Sequence, residues 1–231
     1  MCGRFTYHDT VDQAAKQFGI QSDRTRPLPA WAPNYNVSPS QPVLVGACLE
    51  GATPRLVSMS WGLLPHWADP AKLKTRPINA RAETAHQKPM FRSSFRAKRC
   101  LIAADGFYEW KPTASGKVPY YITLANGEPF AFAGVWDEWR PKDGGDPVLT
   151  CTILTTEANE LMVEIHNRMP AILKPDYYSE WIDPTYQDVD GLQRLIGPAR
   201  APELRTWPVS TLVNSPKHND RKLIEPIMGE G

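Results

Sequence analysis

The 231-residue chain has no apolar run near the roughly 20 residues that a membrane-crossing helix needs. Its first residues, Met1-Cys2-Gly3-Arg4-Phe5, carry no apolar leader, so neither a secretory nor a lipoprotein signal is expected. A cytoplasmic location follows, nucleoid-associated if DNA proves to be the partner. No C-x-x-C occurs among Cys2, Cys48, Cys100 and Cys151, which lie about fifty residues apart and so form no local zinc or thioredoxin motif. Cys48, Cys100 and Cys151 sit in apolar runs and read as small buried hydrophobes. No serine- or metal-protease constellation stands out, and neither metal nor cofactor is expected. Long helices are disfavoured by 23 prolines, roughly 10% of the chain and about twice ordinary usage. Repeats, low-complexity tracts and convincing linkers are all missing, so one domain over 1–231 is expected.

Net charge is also scarce, at +1, but its distribution is uneven. From Lys72 to Cys100 nine lysines and arginines face a single acid, Glu83. That segment carries +8 and leaves −7 for the rest of the chain. Such asymmetry suits a polyanion. Trp61, Trp67, Phe91, Phe95 and Trp110 lie in or around it. Basic groups track phosphates while aromatic faces stack bases, the combination used by single-strand binders.

The apolar pattern predicts a helix over 9–18, with Asp9 or Thr10 as cap and Gly19 as stop. Residues 21–40 read as an irregular, proline-rich loop. Strands are predicted at 42–48, 55–62, 99–105, 118–124, 130–136, 147–155 and 206–213. Gly144-Gly145-Asp146 suits a hairpin connection. Short helices are expected from Glu157 toward Glu164, from Pro175, and over 190–196. Strands and helices do not alternate strictly, which points to α+β with mainly antiparallel sheet.

Cys2 has a chemistry open to no internal cysteine. Removal of Met1 would leave an α-amine and a thiol on one residue. An α-amine has a pKa near 7.7–8.0, so roughly 15% is neutral at pH 7, against about 0.04% of a lysine. The amine can form an imine with an aldehyde, and the thiol can then close a five-membered thiazolidine. Three segments offer supporting groups. Asn79 can orient an imine or a sugar hydroxyl, and Arg81 beside it can grip a phosphate. Glu109 stands between Tyr108 and Trp110, where desolvation raises a carboxyl toward general acid–base use. His166 supplies a proton shuttle near neutral pH.

Six segments stand together in order: Met1–Phe5, Asn36–Pro39, Trp61–Trp67, Asn79–Glu83, Asp105–Trp110 and His166–Pro170. In this the chain closely resembles the SOS-response-associated peptidase (SRAP) family over almost its whole length. The resemblance implies a single α+β domain of mainly antiparallel sheets, with a barrel-like core and short peripheral helices. It implies a monomer that senses abasic sites in single-stranded DNA and is crosslinked to them through Cys2. By motif, Asn79 would position the sugar, Glu109 serve as acid–base, and His166 aid proton transfer and reversal. Arg4, Arg81 and Arg168 would hold flanking phosphates. Trp67 and Trp110 would wall the strand, with Met90 and Phe91 as wedges or stacking surfaces. Self-processing ahead of the cysteine and lyase-type cleavage are further implied activities. The chain departs from some members at Pro89, where they carry a basic residue.

Two other readings stay open from the residues alone. Met-Cys-Gly also begins N-terminal-nucleophile amidohydrolases, and a cysteine peptidase would share that logic, though a small neutral amide needs no +8 field. A non-covalent single-strand binder would leave Cys2 without a role.

Overall fold

The computed structural model describes residues 2–20, 30–49, 51 and 53–227. Its strands are β1 (Arg4–Tyr7), β2 (Asn34–Val37), β3 (Pro42–Cys48), β4 (Pro54–Trp61), β5 (Asn79–Arg81), β6 (Arg99–Ala104), β7 (Gly106–Thr113), β8 (Gly116–Leu124), β9 (Phe130–Trp139), β10 (Val148–Glu157), β11 (Arg168–Pro170), β12 (Ile172–Leu173) and β13 (Leu204–Pro208). The α-helices are short: α1 (Val11–Gln17), α2 (Ala82–Ala85), α3 (Arg92–Ala97), α4 (Tyr178–Ile182) and α5 (Val189–Leu195). No helix among the described residues is long and apolar enough to cross a membrane.

Five strands run in the order β13-β8-β7-β1-β2, all antiparallel. A second set closes on itself. β10 pairs in parallel with β4 and antiparallel with β9, so β4, β3, β6, β9 and β10 form a five-stranded barrel. β5 and β11 add to β10, and β12 adds to β9. This is the expected α+β architecture with a barrel-like core. Closure removes most free edges, which suits strands as apolar as β6, buried at every residue.

The sheet lies against the barrel through one face. Phe5 of β1 and Phe107 of β7 meet Trp61 and Phe132 edge-on, with ring centroids 5.1–6.1 Å apart. Period-two alternation sends Tyr108 to the other face, where it packs with Tyr121, Val209 and Val213. Gly106 starts β7 because a Cβ there would lie 2.2 Å from the Tyr121 hydroxyl.

A second core layer covers the barrel with α1, α3 and α4. Thr10 caps α1 in a capping box with Gln13, and Gly19 ends the turn at φ +64°. Arg99 is buried and donates to the carbonyls of Phe95, Arg96, Trp181, Asp183 and Tyr186, tying α3 to the end of α4.

Four sequence expectations are corrected. Asn34–Val37 lies within the predicted loop but forms β2, because its partner β1 is supplied from far along the chain; residues 21–29 lie outside the described set. Residues 158–166 are turns, not a helix, since β10 runs on to Glu157 to pair with β11. The last predicted strand ends at Pro208, and Thr211–Asn214 is a 3-10 turn. The +8 segment is not all surface: Arg99 is interior, and Lys98 pairs with buried Asp137 at 2.5 Å.

Candidate active site where the sheet meets the barrel

Two layers contribute. The five-stranded sheet brings Cys2, just ahead of β1, and Glu109 on β7. The barrel side brings Asn79 on β5 and His166 in the turn ahead of β11.

Glu109 is 2% exposed. Its strand explains this. Glu109 shares the inward face of β7 with Phe107, while its sequence neighbours Tyr108 and Trp110 turn to the other face. Burial therefore raises its proton affinity above the ordinary carboxylate range, with nearby positive charge, His166 included, partly opposing the rise. A carboxyl in this condition can hold or release a proton nearer to neutrality.

Cys2 is buried, and its thiol points to the Arg4 carbonyl at 3.7 Å. Burial and then the Glu109 charge push the thiol well above its usual value, so it stays S–H at neutral pH. The Cys2 carbonyl accepts a 2.8 Å hydrogen bond from Asn79 Nδ2. Asn79 Oδ1 is buried and accepts nothing from the described residues, leaving an amide oxygen for a bound molecule. His166 Nδ1 lies 3.0 Å from the Arg168 amide nitrogen and 3.2 Å from the Arg168 carbonyl, which fixes the ring against the start of β11.

The remaining predicted residues divide by position. Arg81 is exposed and shares a strand face with Asn79, two residues away. Trp67 is 55% exposed, one residue from His66, whose N–H and Nδ1 both meet Asp137 at 2.9 Å. Trp110 is half-buried and donates to Asn214 Oδ1 at 2.8 Å. Met90 is half-buried, and Phe91 lies in the helix-covered core at 8% exposure. Arg4 is committed within the fold: Nη1 donates to Asn36 Oδ1 at 2.7 Å and to the Val213 carbonyl at 2.9 Å, and Nη2 reaches the Asn214 carbonyl at 3.3 Å. Arg168 is buried, gripped through both Nη atoms by Glu83 at 2.7 and 2.9 Å, and donates to the Thr155 carbonyl.

Sequence reasoning assigned nothing to Glu83, although it closes the Asn79–Glu83 motif, nor to Asn36, although it opens Asn36–Pro39. Asn36 is a buried hub that accepts from Arg4 and donates to the Val213, Ser215 and His218 carbonyls. His8, Asp9 and Asp105 hold three ligand-type atoms within 4.8 Å, but Asp105 Oδ2 already accepts the His8 N–H at 2.5 Å.

The arrangement can place a nucleophile at the chain start beside a buried, upward-shifted carboxyl, an imidazole and an amide. Comparison with known proteins gives a consistent picture. The model of the SOS response associated peptidase (SRAP) family matches residues 1–216. The abasic site processing protein YoqW of Bacillus subtilis is 46% identical over 226 residues, covering 97% of this chain and 99% of its own. The abasic site processing protein YedK of Escherichia coli is 31% identical, covering 98% and 100%. A crystal structure of a Bacteroides thetaiotaomicron protein superposes with a TM-score of 0.85 at 27% identity, covering 98% of this chain and 100% of that one.

Proposed function

The chain belongs to the SOS response associated peptidase family, and from that membership we propose that it processes abasic sites, capturing them covalently in single-stranded DNA through Cys2. The observation that carries the reading is the gathering of four groups from two layers: Asn79 bonds the Cys2 carbonyl, and buried Glu109 lies within electrostatic reach of both Cys2 and His166.

The chemistry runs in a fixed order. Removal of Met1 frees the Cys2 amine. The ring-opened abasic sugar presents an aldehyde at C1′. The neutral amine adds to that carbon, and the carbinolamine loses one water to give an imine. The thiol then adds across the C=N bond: sulfur bonds C1′, and the S–H proton ends on nitrogen. The product is a thiazolidine, with one water released and no oxidant or reductant needed. A thiol held protonated by burial favours this order, because the amine is the better-populated nucleophile until the imine forms.

Glu109 gives a proton to the departing hydroxyl and takes one back as the ring closes, for which a raised carboxyl is suited. His166 hands protons to and from Glu109. Asn79 Oδ1 accepts from the sugar hydroxyl or the new ring nitrogen. Arg81, Trp67 and Trp110 border the strand, with Arg4 and Arg168 shaping its phosphate path, and Met90 and Phe91 stay candidates for its stacking side. Imine formation also opens lyase-type strand cleavage, which ring closure to the thiazolidine suppresses. The protein acts as a monomer.

The test mixes protein, its N-terminus checked by intact mass, with single-stranded DNA bearing one abasic site. A heat-stable shifted band on a denaturing gel, lost with Cys2→Ala and with intact DNA, is expected. No band from protein with a free Cys2 amine overturns the proposal.

A further inference from the structure

The outer face of the five-stranded sheet carries a segment that no reading so far has used. After β13 the chain passes through the 3-10 turn Thr211–Asn214 and then Ser215–Asn219. The turn is tied to two residues that adjoin the site along the chain and face outward from the sheet. Arg4, two residues from Cys2, donates to the Val213 and Asn214 carbonyls. Trp110, next to Glu109, donates to Asn214 Oδ1. The segment is also held rigid from below: Asn36 Nδ2 bonds three of its carbonyls at 2.9–3.3 Å, and Val213 is fully buried beneath it.

A segment fixed this firmly would be expected to bury its apolar side chains. Leu212 instead stands 49% exposed, one of four large hydrophobics so exposed among the described residues. Lys217 follows five residues on, exposed and in no ion pair among the described residues. An apolar face and a lone cation on one preorganised support match a nucleotide, which offers a flat base or sugar and a phosphate.

We infer that Leu212 and Lys217 form a subsite for a nucleotide flanking the lesion on the captured strand, an inference that rests on the capture reading above. Leu212 packs on the base or sugar as the strand crosses the rim marked by Arg4 and Trp110. Lys217 meets a phosphate. The subsite supplies affinity and register, not chemistry.

The experiment measures crosslinking rate against DNA concentration for wild type and for Leu212→Asp/Lys217→Gln. One oligonucleotide is long on both sides of the abasic site; others are trimmed stepwise from each side. The variant is expected to raise the half-saturating concentration of the long strand about tenfold, with the loss falling on that concentration rather than on the limiting rate. Trimming from one side is expected to erase the difference. Equal half-saturation on the long strand overturns the subsite. So does a loss of the same size on every trimmed strand, which marks a change of fold. A parallel anisotropy titration uses a tetrahydrofuran abasic analogue, which cannot react. If wild type forms no Cys2-dependent adduct, the capture reading fails, and this titration still decides the subsite by itself.

Discussion

Glu109 and Asp137 are equally buried carboxylates, 2% and 1% exposed, yet their proton affinities move in opposite directions. For both, burial is the largest influence and favours the neutral acid. At Asp137 it is outweighed. Lys98 Nζ holds one oxygen, the His66 N–H and ring hold the other, and the group falls below its ordinary value. At Glu109 burial prevails, and the group rises. The contrast separates a carboxylate held by fixed donors from one whose proton affinity is raised. Asp137 is supplied with fixed donors and stays ionised to pin the His66–Trp67 loop. Glu109, shifted upward, is the one suited to trade a proton.

The sharpest way to break that contrast is to remove the proton exchange. Glu109→Gln is expected to slow adduct formation about 10²- to 10⁴-fold, followed by quenched time courses at saturating DNA. Asp137→Asn should leave the limiting rate near wild type and instead cost about 2–3 kcal/mol of stability, read by urea unfolding, because Lys98 loses its buried partner. A slow chemical step in the Asp137 variant would erase the distinction.

Asp105 offers a third case. Burial raises it from 3.8 to about 7, against the pull of the His8 N–H. Between those values the folded chain holds a proton that the unfolded chain has released. Stability therefore falls as pH rises from about 4 to about 7, by up to about 4 kcal/mol. Asp105→Asn, which keeps an acceptor for His8, should flatten that slope in unfolding measured at several pH values. Asp137 works in the other sense, its stabilisation being lost as pH falls below 3.8. The smallest effect belongs to a charge in water. Arg81→Gln should weaken single-strand binding modestly and reduce the slope of log affinity against log salt by about 0.7.

Much of the fold was readable. The apolar runs marked β3, β4, β6, β8, β9 and β10, and the Thr10 cap, Pro175 and the 190–196 pattern marked helices that form. What escaped was short or borrowed its pairing from elsewhere. β5 is three residues long and exists because β10 lies beside it. β7 carries Gly106, Glu109 and Lys111, whose types hide its alternation. The 157–164 helix does not form as predicted because β10 runs on to Glu157 to pair with β11, leaving only isolated turns between Asn159 and His166.

For the candidate site, residue types and the order of the motifs singled out Cys2, Asn79, Glu109 and His166, and in the fold Asn79 bonds the Cys2 carbonyl while Glu109 faces both Cys2 and His166. Their chemistry is carried by side chains that a linear pattern displays. The sequence by itself also marked the apolar runs that become the barrel strands, while their closure into a barrel was an expectation of the resemblance alone. Only the tertiary structure decided which charges are spent. Arg99, in the basic stretch, and Arg168, far from it, both look like surface cations, but one crosslinks helices and the other is clasped by Glu83. It also decided that Glu109 is buried deeply enough to be raised, and that a turn more than a hundred residues away bonds its neighbour Trp110. Desolvation and hydrogen bonding depend on distances through space, and the chain sets those only once its sheet and its barrel have packed.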